Sequence, residues 1–353
     1  MKISRELFDQ QRHPRFGNAN PERMQLAFWE WMIRGEEMSP VNQDDSSEYD
    51  GMIMRNGYLK SAYGPWRARD LFKIPMNREE GPIWNFDRMG MTSTQLPDGR
   101  VVCVGGEHED FYDPDFHIYN DVVVFGPGDE IEIYGYPKEV FPPTDFHTAT
   151  LLDDRIIIIG CLGYLDDRRP GYTPVYSLDL REYRMSKIET SGEMPGWIYQ
   201  HEADLDPEGM IIIRGGEMNE EDGDQVRTRR NIEEYGLDIR SWTWSRLTDR
   251  NWRQLSICQE DYGMWKVDPY LEFEHLLPLH IEHTVVPCEG RKRSQLAING
   301  VIVSIIINLR DIEIIVEGEL PAALTIQLAE ELRANTEAAV QHRCILEQLS
   351  RRR

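Results

Sequence analysis

Glu109, Asp113 and His117 follow the spacing E-x-x-x-D-x-x-x-H. Two carboxylates and an imidazole so spaced could hold Fe(II) or another divalent metal and leave coordination positions open for a reaction. The same stretch also reads as a solvated acidic rim, since Glu107, Glu109, Asp110, Asp113 and Asp115 crowd together and Asp113-Pro114 starts a turn. The rim is the preferred reading, because three residues in an acid-rich loop make a weak motif. The glycine pair just upstream, Gly105-Gly106, does not make a phosphate loop: no helix pattern follows it and no Lys lies close. His147 and His201 are 54 residues apart at matched positions of a repeat. They are therefore expected to hydrogen-bond between repeat units, not to form a catalytic pair. No nucleophile elbow, Ser-His-Asp order or paired glycosidase carboxylates stands out. The five cysteines are scattered without a CxxC pair, which fits reduced, buried thiols better than a disulfide framework or a zinc site.

The elements that must position these residues recur. "RVVCVGGE" (100–107), "RIIIIGCL" (155–162) and "MIIIRGGE" (210–217) are copies of one pattern, and their first glycines, Gly105, Gly160 and Gly215, are 55 residues apart each time. Downstream come "NDVVVF" (120–125), "TPVYSLD" (173–179) and "NIEEYGLD" (231–238), then Met185 and Trp244, each six residues beyond an Asp. Each unit reads as four short strands. The second is aliphatic without polar alternation, so both of its faces should be buried, and the glycines close it where the backbone needs positive φ or a close approach. Four-stranded units buried on both faces must stack on copies of themselves, as propeller blades do.

The glycine pair after an aliphatic second strand, with an aromatic in the fourth, resembles kelch-repeat proteins over roughly residues 84–250. Gly105-Gly106, Gly215-Gly216 and Trp244 match that pattern, whereas Gly160-Cys161 and Met185 depart from it. The whole chain also looks like stand-alone bacterial proteins of this type. The resemblance implies a mainly β fold, a small or irregular propeller of about four to six blades, with an open array as the alternative. Repeats are expected at 84–141, 142–195 and 196–250 of a propeller domain spanning 84–282. Missing blades are sought in "YDGMIMRNGYLKSAYGPW" (49–66) and "RQLSICQEDYGMWKVDPY" (253–270). The Glu109, Asp113, His117 spacing is similar to the iron-binding triplet of kelch-fold nitrile-specifier proteins. Some kelch-like propellers are copper-radical oxidases, but that chemistry needs an exposed Tyr-Cys pair, and Cys103 and Cys161 lie in or beside buried strands.

The flanks differ from the repeats. Residues 1–83 form an N-terminal segment in which "NPERMQLAFWEWMIRGE" (20–36) has an Asn cap, Pro at the first helical position and an apolar face of Met24, Ala27, Phe28, Trp31 and Met32. Residues 283–353 read as a small α+β appendage: strands over 294–318 around an Asn299-Gly300 hairpin, then a helix from 321 with Leu324, Leu328 and Leu332 aligned.

A net charge of −23 argues against nucleic-acid binding, which depends on Lys and Arg displacing counterions. No signal-peptide stretch opens the chain and its longest aliphatic run, 301–307, is too short to span a bilayer, so a cytoplasmic protein without membrane attachment is expected. The long stretches after each glycine turn share a repeat position and so one face. They carry Glu107, Asp110, Phe111, Tyr112, Phe116, Tyr164, Asp166, Asp167, Tyr172, Glu220, Glu221 and Asp222, a mix of aromatic anchors and acids suited to protein recognition. The leading expectation is a non-enzymatic binding module without a cofactor, holding a basic protein as an immunity protein or antitoxin would. The alternatives are an Fe(II)-dependent kelch enzyme or specifier, and a scaffold that organises a larger assembly.

Overall fold

The computed structural model describes residues 3–34, 65–75, 80–108, 116–128, 130–222, 225–260, 273–288, 292–308 and 311–352. The fold is mainly β, built from several antiparallel sheets, and the chain divides into two compact units, Met1–Thr248 and Asp249–Arg353.

In the first unit, α1 (Arg5–Gln11), β1 (Glu22–Arg23), α2 (Ala27–Arg34) and α3 (Pro65–Phe72) precede the repeats. The first repeat contains β2 (Thr92–Gln95), β3 (Val101–Val104), the short strands β4 (Glu107–His108) and β5 (His117–Ile118), then β6 (Val122–Phe125) and β7 (Ile131–Gly135). The second contains β8 (Thr148–Leu152), β9 (Arg155–Ile159), β10 (Val175–Asp179) and β11 (Met185–Lys187). The third contains β12 (Ser191–Gly192), β13 (Trp197–Tyr199), β14 (Glu202–Leu205), β15 (Met210–Arg214), β16 (Glu217–Asp222), β17 (Gln225–Arg230), β18 (Tyr235–Asp238) and β19 (Thr243–Arg246). Each repeat forms a four-stranded antiparallel meander: β2-β3-β6-β7, β8-β9-β10-β11 and β14-β15-β18-β19. The described residues form no closed ring of sheets.

The aliphatic second strands of the first two repeats have no polar alternation because each serves two cores. Val101, Cys103, Val123 and Phe125 face Phe28, Trp29 and Trp84 of the N-terminal segment, while Val102, Val104, Val122 and Val124 meet Ile156, Ile158 and Leu178 of the second sheet. Ile157, Ile159 and Val175 in turn meet Ile211, Ile213 and Leu237 of the third. Met185 and Trp244 occupy the fourth strands and are buried in these same two cores. At about 1.5–3 kcal/mol per fully buried large aliphatic side chain, this stacking is the main favourable term in the unit.

The glycines mark where one sheet touches the next. A Cβ on Gly105 would lie 2.3 Å from Thr144 O, and one on Gly160 would lie 2.3 Å from Ile198 O. Those same carbonyls accept hydrogen bonds from Gly106 N (2.8 Å) and Cys161 N (3.0 Å). Gly215 has the same positive φ, 62°, but nothing within 4 Å of a Cβ.

The expected helix over 20–36 is shorter. It begins at Ala27, because the residues before it belong to the first sheet: Glu22 and Arg23 pair with Gly135 and Tyr134, and Met24 N donates to Ile133 O (2.7 Å). Asn20 is not a cap; its side chain bonds both backbone groups of Met185 (2.7 and 2.8 Å), and the Asn20-Pro21 peptide is cis. The expected apolar face is kept, with Met24, Phe28, Trp31 and Met32 buried.

The second unit is a six-stranded sheet in the order β21-β22-β23-β24-β20-β25, with β20 (Trp252–Gln259), β21 (Thr284–Val286), β22 (Arg293–Ile298), β23 (Val301–Ile307), β24 (Ile312–Glu317) and β25 (Cys344–Arg352). The helix α4 (Ala322–Val340) packs Leu328, Ala329 and Leu332 onto one face. Asn299 and Gly300, both at positive φ, make the expected hairpin turn between β22 and β23. Residues 252–259 complete no blade: they lie between β24 and β25, eight residues long and paired on both edges. The boundary thus falls at Thr248/Asp249 and not at 282/283. The other proposed blade segment, 49–66, lies outside the described residues except for the start of α3. No helix among the described residues is long and apolar enough to cross a membrane. Cys103, Cys161 and Cys344 are buried free thiols, and burial pushes Cys103 up to about 12.

Candidate binding face

The stretches inserted after Gly106, Gly160 and Gly216 leave the same end of their sheets. The first is the β4-β5 hairpin, rooted by a bridge between Met89 and Glu107. The second is a loop with a 3-10 turn at Leu165–Asp167. The third is the β16-β17 hairpin, which pairs with β13. Residues 217–230 are expected as a loop from their charged side chains, but they form a strand pairing that runs from Glu217↔Arg230 to Asp222↔Gln225.

The first two inserts are joined. Ile118 N donates to the Tyr164 hydroxyl (3.0 Å), and Phe116 meets the Tyr164 ring edge-on at 5.8 Å. Gly163 N donates to Asp145 Oδ1 (2.6 Å), Arg168 Nε and Nη2 donate to Gly163 O (3.3 and 3.2 Å), and Trp197 Nε1 of the third repeat donates to Leu162 O (3.0 Å). This fixes an apolar surface pair, Phe116 (43% exposed) against half-buried Tyr164, with Leu165, the next residue in the chain, 68% exposed.

The acids are more compensated than expected. Asp167 pairs with Lys138 (3.2 Å) and Glu220 with Arg229 (2.6 Å), while Asp166 and Glu221 are exposed. Tyr172 is half-buried with Lys187 over its ring at 5.3 Å. Glu107 is not a surface residue: it is 6% exposed, and its carboxyl hydrogen-bonds Asp145, which is fully buried. Burial raises the Asp145 carboxyl above its ordinary range, against the opposing Gly163 N–H, the hydrogen bond to Glu107 and the Arg168 charge. Asp110, Phe111 and Tyr112, the side chain of Asp222, and the proposed ligands Glu109 and Asp113 lie outside the described residues. His117 stands opposite His108 in the hairpin, edge-on to Tyr119 at 4.8 Å; burial first, and then the Arg88 charge, lowers it to about 4. Among the described residues no three His, Cys, Asp or Glu side chains are grouped as metal ligands.

His147 and His201 do link neighbouring sheets, as expected. Their Nε2 atoms lie 2.8 Å from Thr92 Oγ1 and 2.9 Å from Thr148 Oγ1, and burial lowers them to about 3 and about 4.

The sequence reading missed a buried cluster beneath the first insert. Arg88 binds Asp121 through Nη1 (2.5 Å) and Nη2 (3.0 Å), donates to Asn85 O (2.7 Å) and Gly105 O (2.9 Å), and lies 3.4 Å over the Tyr119 ring. Trp84 Nε1 donates to Asp121 Oδ2 (2.8 Å), the oxygen that also accepts from Arg88 Nη2, and the Trp84 ring stacks on Trp29 at 4.7 Å. The one available signal was a charged pair set among Trp, Phe and Met in "WNFDRMG". The arrangement holds the hairpin root rigid; every donor of Arg88 named here ends on a protein acceptor. No protein-family model matches the chain, and no curated protein is similar to it in sequence.

Proposed function

We propose that the protein is a non-enzymatic binding module whose stacked, kelch-like sheets present the first two inserts to a protein partner. The observation that carries this reading is exposed Phe116 packed on half-buried Tyr164, with exposed Leu165 next to it in the chain, on a base of hydrogen bonds that joins the first two inserts. Interfaces draw most of their energy from a few such apolar anchors on a preorganised support. The net charge of −23 favours a basic partner and faster encounter with it, in the manner of an immunity protein or antitoxin bound to a basic toxin.

The test is capture of partners from the native host by the wild type and by a Phe116→Ser/Leu165→Ser variant. The wild type retains a basic protein, its association slows with added salt, and the variant loses it while keeping the same unfolding transition. Equal retention by the two proteins, or an association rate indifferent to salt, refutes the proposal.

A further inference from the structure

The repeat provides an internal comparison for a groove between the second and third sheets. Where the first and second sheets meet, Arg100 at the start of β3 is fully engaged. Its guanidinium pairs with Asp98 (2.7 Å), donates to Leu180 O (3.1 Å) and to the Tyr183 hydroxyl, and lies 5.8 Å over that ring. Tyr134 fills the remaining space, stacked on Tyr183 at 4.6 Å and 26°.

Arg155 starts β9 at the equivalent place, 55 residues on, and Trp242 stands where Tyr183 does, at the same left-handed turn with φ 53° in each. Ile188, opposite Val175, takes the position that Tyr134, opposite Val122, holds in the first sheet. Ser177 and Ser186 likewise replace Val124 and Glu132. These smaller side chains leave a groove of about 410 Å³ lined by Arg155, Arg184, Ser177, Ser186, Ile188 and Trp242.

Trp242 has no hydroxyl with which to engage the arginine as Tyr183 does. Among the described residues, neither Arg155 nor Arg184 makes a side-chain hydrogen bond or ion pair. The acids at the rim are mostly engaged elsewhere: Asp154 pairs with Arg181 (2.8 Å), and Asp179 accepts the backbone N–H groups of Arg181 and Glu182 (2.9 and 2.8 Å). Glu182 is the one lining carboxylate without such a partner.

We propose that this groove binds a ligand that carries both an aromatic ring and a nearby carboxylate, with the ring against Trp242 and Ile188 and the carboxylate between Arg155 and Arg184. Guanidinium groups match a carboxylate fork to fork, and an aromatic ring against Trp adds a stacking contact. The ligand has two sources with this shared chemistry: a free aromatic acid, or an acidic peptide segment containing Tyr or Phe. The groove lies at the start of β9 and the end of β10, the opposite end of the strands from the insert that follows Gly160. It is therefore separate from the proposed protein-binding face.

Isothermal titration calorimetry with three probes tests it: N-acetyltyrosine, N-acetyltyrosine amide, and a Glu-Tyr-Glu peptide capped at both ends. The full-length wild type binds at least one of the two carboxylate-bearing probes, and binds the uncharged amide roughly tenfold more weakly or not at all. Preference for N-acetyltyrosine indicates a free acid as ligand, and preference for the capped peptide indicates a peptide segment. Arg155→Gln/Arg184→Gln brings binding of the acidic probes down to that of the amide. Ile188→Tyr restores the ring found in the first sheet, fills the groove and abolishes binding with the unfolding transition intact. Absence of heat with both acidic probes at millimolar concentration overturns the proposal. So does binding that is unchanged in the arginine variant or in Ile188→Tyr.

Discussion

The first and second repeat sheets end in surfaces made to be covered, whereas the third ends in a surface made to face water. At equivalent positions Thr92, Val104 and Val122 of the first sheet, and Thr148, Ile159 and Val175 of the second, become Glu202, Arg214 and Glu234 in the third. Arg214 then pairs with Glu234 (3.2 Å) and Asp204 (3.4 Å) across its own sheet instead of packing on a neighbour. A stack of repeats needs such a polar end, since an uncovered aliphatic face would recruit other chains. The glycines follow the same division: Gly105 and Gly160 are closed against the next sheet, and Gly215 is open.

The largest test of this difference is alanine at the three glycines. Gly105→Ala and Gly160→Ala each drive a methyl to 2.3 Å from a backbone carbonyl and should cost about 3–4 kcal/mol, combining overpacking with left-handed strain. Gly215→Ala carries the strain alone and should cost about 1–2 kcal/mol. Urea unfolding of the three variants measures this, and equal costs would erase the distinction between inner and terminal repeats.

The repeat was legible because Gly105, Gly160 and Gly215 report local geometry that recurs at a fixed interval. Legibility failed wherever the deciding partner is remote. Asn20 and Pro21 carry the signature of a helix start, but the partner of Asn20 is Met185, 165 residues away. The β20 strand was assigned to the repeats because nothing local shows that its neighbours are β24 and β25. Nothing local marks Asp145 and Arg88 as buried, since burial of a charge is decided by what folds over it. Conversely, the acids of the third insert announced an acidic loop, and the structure answers several of them with arginines on the facing strand.

Removing the cap is the next test in size. Replacing Glu202, Arg214 and Glu234 with Thr, Ile and Val copies the second sheet's outward face onto the third. The variant should self-associate at micromolar concentration, read by sedimentation velocity, while the wild type sediments without that added association. A variant that stays indistinguishable from wild type would mean that the charged face does not limit stacking.

The sheet-to-sheet histidines give a smaller, pH-dependent effect. Thr92→Val and Thr148→Val each remove a hydrogen bond and should cost about 1 kcal/mol at pH 7. His147 and His201 are held neutral in the fold, at about 3 and about 4, against 6.5 when unfolded. Their contribution is complete above pH 6.5 and is lost as pH falls through the window down to their folded values, because the unfolded chain takes up protons first. The slope is about 1.4 kcal/mol per pH unit for each histidine. His147→Gln should flatten the part of the acid-side stability profile that this residue supplies.

The smallest effect is expected at Glu107 and has the opposite sign with pH. The raised Asp145 carboxyl favours the fold while it is protonated, so its contribution is present below 3.8, its ordinary value, and fades as pH rises through its folded value. Glu107→Gln keeps the size and a hydrogen-bonding group beside Asp145 but removes one of two buried like charges. Stability at pH 8 should rise by up to about 1 kcal/mol relative to wild type, with little change at pH 4. Thermal melts at the two pH values separate this from a packing defect, which would lower stability at both. An equal loss at both pH values would show that the Glu107 carboxyl supports the hairpin root, and that repulsion between it and Asp145 does not govern the stability of the joint.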